Sequence, residues 1–302
     1  MILSRLNNRA KSSQIGATVV IKILSGSDAS ELDTLLEASA RIGSEPMLAQ
    51  AATGNTSIKL DGVLWIKASG KWLSDAAQGD ILIPVDLAGT RTRIAQNIDP
   101  AGQTVMVKGK PLGTSVETAM HAVLPHRVVI HVHSVNTIAW AVREDGPQEL
   151  ARCLHGINWK WIPYVPSGLK LAAAVQAALE SDPETEVLVL ANHGLVVGGS
   201  DCESAEALLQ EVERRVAISP RRSPEPDWAL LSRVAHTGLW RVPPSIAIHA
   251  MGTDPVSRRI VSGGILYPCQ AIFLTTQVRT FDRMITSADL VGVDLAHYLG
   301  VP

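Results

Sequence analysis

Seven consecutive residues, Arg127-Val-Val-Ile-His-Val-His133, limit the possible folds of this chain more than any others. The run is apolar and β-branched, and Pro125 and Ser134 bound it, so it reads as a buried strand. Side chains i and i+2 of a strand share a face, which points the imidazoles of His131 and His133 the same way. Two imidazoles in an apolar strand are costly to bury without a shared partner, and a divalent metal supplies one. Taken alone, the pair fits equally well a hydrogen-bonded core histidine with a second one flanking it.

His193 changes the balance. It stands where the apolar run Val187–Ala191 meets the turn Asn192-His-Gly194, a place from which a side chain reaches across a sheet end. Three histidines that leave a coordination position open are the pattern of catalytic zinc, whereas structural sites are closed and cysteine-rich. Glu117 supplies an acid–base group just ahead of the histidine strand, with His121 one turn later. By itself Glu117 fits better as a first-turn charge that the helix dipole favours.

Around these residues the pattern predicts alternating helices and strands. Helices are expected at 29–42 (capped by Ser27 or Asp28), 115–123, 135–142, 169–179 and 205–217. The inward stripe of the first is Leu32, Leu35, Leu36, Ser39 and Ile42. Strands are expected at 58–60, 63–67, 81–85, 127–133, 187–191 and 195–197. Asp61-Gly62 joins the first two as a hairpin, so the sheet need not be parallel. Ser219–Pro226 carries three prolines in eight residues, a linker signature. Beyond it a helical turn at 228–234, a strand-like 271–274 and a helix at 288–299 are expected. The division is a lead-in over 1–27, a metal-binding domain over 28–218, and a proline-rich linker with a C-terminal extension packing on the core over 219–302.

Composition excludes several partners. With 302 residues, 46% of them hydrophobic, the chain can bury a substantial core. Its net charge of -2 and scattered basic residues give nucleic acid no footprint. Lys22 interrupts the apolar run 15–24, and nothing reaches the roughly 20 residues that span a bilayer. Cys153, Cys202 and Cys269 form no CxxC pair, and each reads as a buried structural thiol. A cytoplasmic protein is expected.

The motifs Gly54-Asn-Thr-Ser57, Lys67-Ala-Ser-Gly70, Ser115-Val-Glu-Thr118 with His121, His131-Val-His133 and Asn192-His-Gly194 match, in order and spacing, the class II aldolase/adducin family. Within it the chain most resembles the aldolase half of bacterial rhamnulose-phosphate aldolase/dehydrogenase fusions. Tyr267–Leu274 is similar to their YPDHVVFLG segment, although Cys269-Gln270 stands where they carry Asp-His. No dinucleotide fingerprint follows, so no dehydrogenase half is expected.

The resemblance implies a three-layer α/β/α fold around a mainly antiparallel sheet. It implies zinc, or alternatively cobalt or manganese, on His131, His133 and His193, with Glu117 as the acid–base residue. Gly54, Asn55, Ser69, Gly70 and Ser115 would hold a substrate phosphate. Lys71, directly after the turn, reads at least as well as a solvated lysine as it does as a further point charge. Turn amides and short hydroxyls make such an anion cradle. Val116 departs from the two hydroxyl residues that phosphate-binding relatives commonly carry before the glutamate. The implied activity is cleavage of a ketose phosphate through a metal-bound enediolate. Decarboxylation of a keto acid or epimerisation at the same site is the alternative, and a non-catalytic adducin-like interaction module is a more distant one. A tyrosine acid is usual in the family, yet Tyr164, Tyr267 and Tyr298 match no motif, and Tyr164 reads as packing near the cleft. A homotetramer is implied as well.

Overall fold

The structure, a computed structural model, describes residues 26–78, 81–238, 242 and 246–274. It opens with helix α1 (Gly26–Gly43), which buries Leu32, Leu35, Ser39 and Ile42 on the expected stripe and half-buries Leu36. Strands β1 (Asn55–Leu60) and β2 (Val63–Lys67) follow as an antiparallel hairpin. Asp61 and Gly62 at its turn both have positive φ, 46° and 80°, as a two-residue turn of matching twist demands. A 3-10 turn (Leu73–Gln78), β3 (Leu82–Asp86) and α2 (Leu87–Ala95) lead to a separate small hairpin of β4 (Thr104–Val107) and β5 (Lys110–Gly113). Then come α3 (Thr118–Val123), β6 (Val128–Val132), α4 (Val135–Ala141) and α5 (Gly146–Cys153). The domain continues through β7 (Trp159–Ile162), α6 (Leu169–Ser181), β8 (Val187–Leu190), β9 (Gly194–Gly199) and α7 (Cys202–Val216).

Seven strands form one sheet in the order β3-β2-β1-β6-β9-β8-β7, and only the β7–β8 edge pair is parallel. Strand β6 lies near its middle and alternates strictly. Val128, Ile130 and Val132 enter the core shared with α1, α4, α5 and α7. Val129 enters the opposite core, against Met120 of α3 and Leu171 and Val175 of α6. A third cluster joins Leu64, Ile66, Ile83 and Val85 to Ile94 of α2 and Val105 and Val107 of the small hairpin. Helices therefore cover both faces, which is the three-layer α/β/α arrangement expected. Each large aliphatic side chain so buried contributes about 1.5–3 kcal/mol.

After the prolines, helices α8 (Trp228–His236), α9 (Ile246–Thr253), α10 (Pro255–Ser262) and α11 (Pro268–Leu274) make up the described part of the C-terminal extension. The strand expected at 271–274 is thus helical. Pro268 opens the helix at a position proline favours, and Ile272 stands 68% exposed instead of pairing in a sheet. Helices α2 and α5, strand β7 and the small hairpin escaped the sequence reading. Gly146-Pro147 at the start of α5 resembles a turn, and Lys160 breaks the apolar pattern of β7 (Trp159-Lys-Trp-Ile162). Tyr164 is 58% exposed, which corrects its reading as a packing residue. The helix expected at 288–299 lies outside the described residues. Among those described, no helix is long and apolar enough to cross a membrane.

Candidate metal centre

Strand β6 delivers His131 and its C-terminal neighbour His133 to the face opposite Val132. Ser134 ends the strand by capping α4, its hydroxyl accepting the Thr137 amide at 3.0 Å. His193 arrives from the β8–β9 turn, where Asn192 has a φ of +54° and its amide donates to the Ala141 carbonyl at 3.1 Å. The His193 amide donates to the Leu190 carbonyl at 3.1 Å. Since β9 pairs with β6, Leu195 opposite Val132, the turn returns His193 beside the pair. The three rings sit edge to face with every pair of centroids 5.0 Å apart.

Glu117 completes the group. Its Oε1 lies 3.1 Å from His131 Nε2 and 3.1 Å from His193 Nε2, while His133 Nε2 lies 3.2 Å from His131 Nε2. All four donor atoms fall within 4.8 Å of one another, and all four residues are buried. A tetrahedral ion with donors at about 2.0–2.1 Å separates them by about 3.3 Å, so three of these spacings suit a single small cation. His131 Nδ1 bonds the Leu195 carbonyl at 2.9 Å, which turns Nε2 inward. The donor set, nitrogen-rich with one carboxylate, fits a divalent transition metal.

Helix α3 begins at Thr118, three residues later than expected. The Ser115 hydroxyl accepts the Glu117 amide at 3.2 Å and the Ser115 carbonyl accepts that of Thr118 at 3.1 Å, which forms a turn first. Glu117 therefore stands at the helix threshold. Burial opposes its charge, but His131 and His193 outweigh this and hold the carboxyl well below the usual range. For His131 burial also works against charge, yet Glu117 raises its pKa. Burial, reinforced by His131, pushes His133 down to about 3.

The phosphate-cradle candidates divide. Asn55 is buried and donates from Nδ2 to Glu117 Oε2, while its Oδ1 is buried without a partner among the described residues. Gly54 has a φ of +72°, and a Cβ there would lie 2.9 Å from the His131 carbonyl oxygen, so the close approach of this turn to β6 requires glycine. Ser115 is buried beside Glu117. Ser69 and Gly70 are exposed, with the Ser69 amide already donating to the Gly113 carbonyl at 2.9 Å.

Four features were not anticipated. Asn55 is the partner of Glu117. His121, expected beside Glu117, instead meets the Ser57 hydroxyl at 2.7 Å from Nδ1, and burial pushes its pKa to about 3. Lys67 is buried beneath the site and donates to the carbonyls of Ala52 and Lys71 at 2.9 and 2.6 Å. Burial lowers its pKa to about 8, although Glu117 pulls the other way. Finally, Cys269 of α11 places its sulfur 2.7 Å from His133 Nδ1. The only sequence signal for this contact was the likeness of 267–274 to a family segment.

The family model described as "Class II Aldolase and Adducin N-terminal domain" matches residues 33–219. That is more than half of the chain, and the chain belongs to this family. A curated relative, the "Uncharacterized oxidoreductase YuxG" of Bacillus subtilis (strain 168), is 27% identical over 204 residues, 61% of this chain. The match spans only 29% of that protein's length. Among solved structures, the N-terminal class II aldolase domain of a conserved protein from Thermoplasma acidophilum shares the fold, with a TM-score of 0.51 at 23% identity, covering 72% of this chain and 98% of that one. A looser likeness, with a TM-score of 0.44 at 16% identity, is to L-fuculose-1-phosphate aldolase from Thermus thermophilus, covering 71% of this chain and 100% of that one. Class II aldolases depend on a metal, and the buried group of Glu117 and three histidines is able to hold one.

Proposed function

We propose that this chain is a zinc-dependent class II aldolase that cleaves a ketose phosphate, with cobalt or manganese as alternative metals. The observation that carries the reading is the convergence of three imidazole nitrogens and one buried carboxylate at spacings suited to a single ion. In this reading His131, His133 and His193 are the ligands and Glu117 is the catalytic residue. The bound ion would supply Lewis acidity toward the carbonyl and hydroxyl oxygens of the substrate and stabilise negative charge as the carbon–carbon bond breaks.

The chain's own groups do the rest. Asn55 holds Glu117 Oε2, so Oε1 faces the histidines and is free to exchange a proton with the carbon beside the substrate carbonyl. Exclusion of water around this buried carboxylate strengthens its interactions. Gly54 and Asn55 on the inner side and the exposed Ser69-Gly70 turn, with the Ser115 hydroxyl, would flank the substrate phosphate. A metal domain over 28–218 with an extension over 219–302, homotetrameric assembly, a cytoplasmic setting and kinship with the rhamnulose-phosphate fusion enzymes belong to the same proposal.

The test is metal analysis of purified protein followed by a screen of ketose phosphates and keto acids with zinc, cobalt or manganese. Aldehyde release from a ketose phosphate supports the proposal. Carbon dioxide release from a keto acid, or an epimerised sugar phosphate without cleavage, would keep the metal site and replace the reaction. Protein that binds no metal would overturn the whole reading.

A further inference from the structure

We infer that Cys269 is a positioning residue for the metal centre: its sulfur accepts the Nδ1 proton of His133 and so presents Nε2 to the ion. Sulfur and nitrogen are 2.7 Å apart, and both side chains are buried. An imidazole that binds metal through Nε2 carries its proton on Nδ1 and needs an acceptor there to fix its ring. For His131 the fold supplies a backbone carbonyl, that of Leu195. His133 meets a thiol instead, and the thiol comes from a segment 136 residues further along the chain.

That segment is tied to the site a second time. Asn192, directly before His193, donates from Nδ2 to the Leu266 carbonyl at 2.8 Å. Gln270 braces the turn internally, with Oε1 accepting the Leu266 amide at 2.9 Å and Nε2 donating to the Gly264 carbonyl at 3.0 Å. The segment from Gly264 to Gln270 thus touches the strand of one ligand and the turn of another. Docking of the C-terminal extension and the grip of His133 on the ion become one equilibrium.

The inference rests on the proposed ligand set, and the experiment separates the two. Zinc affinity of the full chain is measured by competition with a chromophoric chelator for wild type, Cys269→Ala, Cys269→Ser and Cys269→Asp, with the visible spectrum of the cobalt form recorded for each. Loss of an outer partner of a metal-bound histidine typically costs about 10–100-fold in metal affinity. Cys269→Ala is expected to weaken zinc about tenfold or more and to alter the cobalt bands. Cys269→Asp, a stronger acceptor for the same proton, is expected to recover most of the loss or exceed wild type. If Cys269→Ala fails to fold, Cys269→Ser, nearly isosteric with a hydroxyl acceptor, takes its place with a smaller loss expected. Wild type that binds zinc while the foldable variants stay within twofold of it, with unchanged cobalt bands, overturns this inference alone. Wild type that binds no zinc overturns it together with the ligand assignment.

Discussion

Asn55 stands directly opposite His131 in the β1–β6 ladder. One rung of the sheet thus carries both the residue that holds Glu117 Oε2 and the imidazole that faces Glu117 Oε1. The carboxylate is held from two adjacent strands, so sheet register helps set its position, with His193 of the β8–β9 turn meeting the same Oε1.

The first prediction concerns that grip. Asn55→Asp puts a second carboxylate against Glu117, and like charges at hydrogen-bond distance raise a carboxyl pKa. The acid limb of the kcat/KM profile should move upward by about one pH unit or more. Asn55→Ala should move it less, since it removes a donor without adding a charge. A profile unmoved by both would show that Asn55 does not tune Glu117.

Glu117→Gln keeps the size and the Asn55-facing end of the side chain but removes the exchangeable proton site. The three imidazoles remain, so bound zinc should stay near one ion per chain. Turnover should fall about 10²–10⁴-fold, the usual contribution of a positioned acid–base group. Metal retained with turnover undiminished would remove Glu117 from the chemistry.

Gly54 and Gly70 share a φ of +72° but differ in surroundings. A Cβ at Gly70 meets nothing within 4 Å, so Gly70→Ala should cost only the left-handed penalty of about 1–2 kcal/mol. At Gly54 the Cβ also meets the His131 carbonyl oxygen at 2.9 Å, so β1 and β6 must separate. Gly54→Ala should therefore destabilise by about 3 kcal/mol or more and weaken metal uptake, as denaturant melts and zinc titration can measure. Equal costs at the two glycines would contradict the close approach.

The metal-free protein should lose stability in mild acid. Burial holds His121 and His133 at about 3 in the folded state against an ordinary 6.5. Between those values the unfolded chain binds more protons, so stability falls as pH drops from about 6.5 toward 3. Glu117, held below its ordinary value, adds to the loss at the acid end. The contribution of His131, raised above its own ordinary value, builds up above pH 6.5 as pH falls and stays constant through this window. His121→Asn, whose amide can still meet Ser57, deletes one depressed imidazole. The difference in melting temperature between pH 7 and pH 5, with chelator present, should shrink in that variant. An unchanged difference would remove His121 as a source of the acid sensitivity.

Much of the site was legible because its residues lie on regular elements. The period-two alternation of β6 put both histidines on one face, and the glycine turn after β8 marked His193 as a sheet-end residue. The alternation of elements and the Asp61-Gly62 turn indicated only a sheet that need not be parallel, and the three-layer class came with the family resemblance. What stayed hidden depends on contacts between distant segments. Nothing local to Asn55 points to Glu117, 62 residues away, until register is known. Cys269 offers no pattern beyond a short family likeness, and its helix was read as a strand because Ala-Ile-Phe-Leu is apolar enough for either. Lys67 ends a strand in the sequence reading and gives no local sign of burial, whereas two carbonyls hold its ammonium inside.

Because Val128, Ile130 and Val132 fill one core while His131 and His133 face the other side, the two halves of β6 check each other. A slip of one residue would turn the imidazoles into the aliphatic core and the valines toward Glu117, and both errors cost energy at once. A misregistered chain therefore fails to pack before it can offer a misplaced ligand. The greasy side of the strand acts as the proofreader of its chemistry, and insertions in β6 should be tolerated only in pairs.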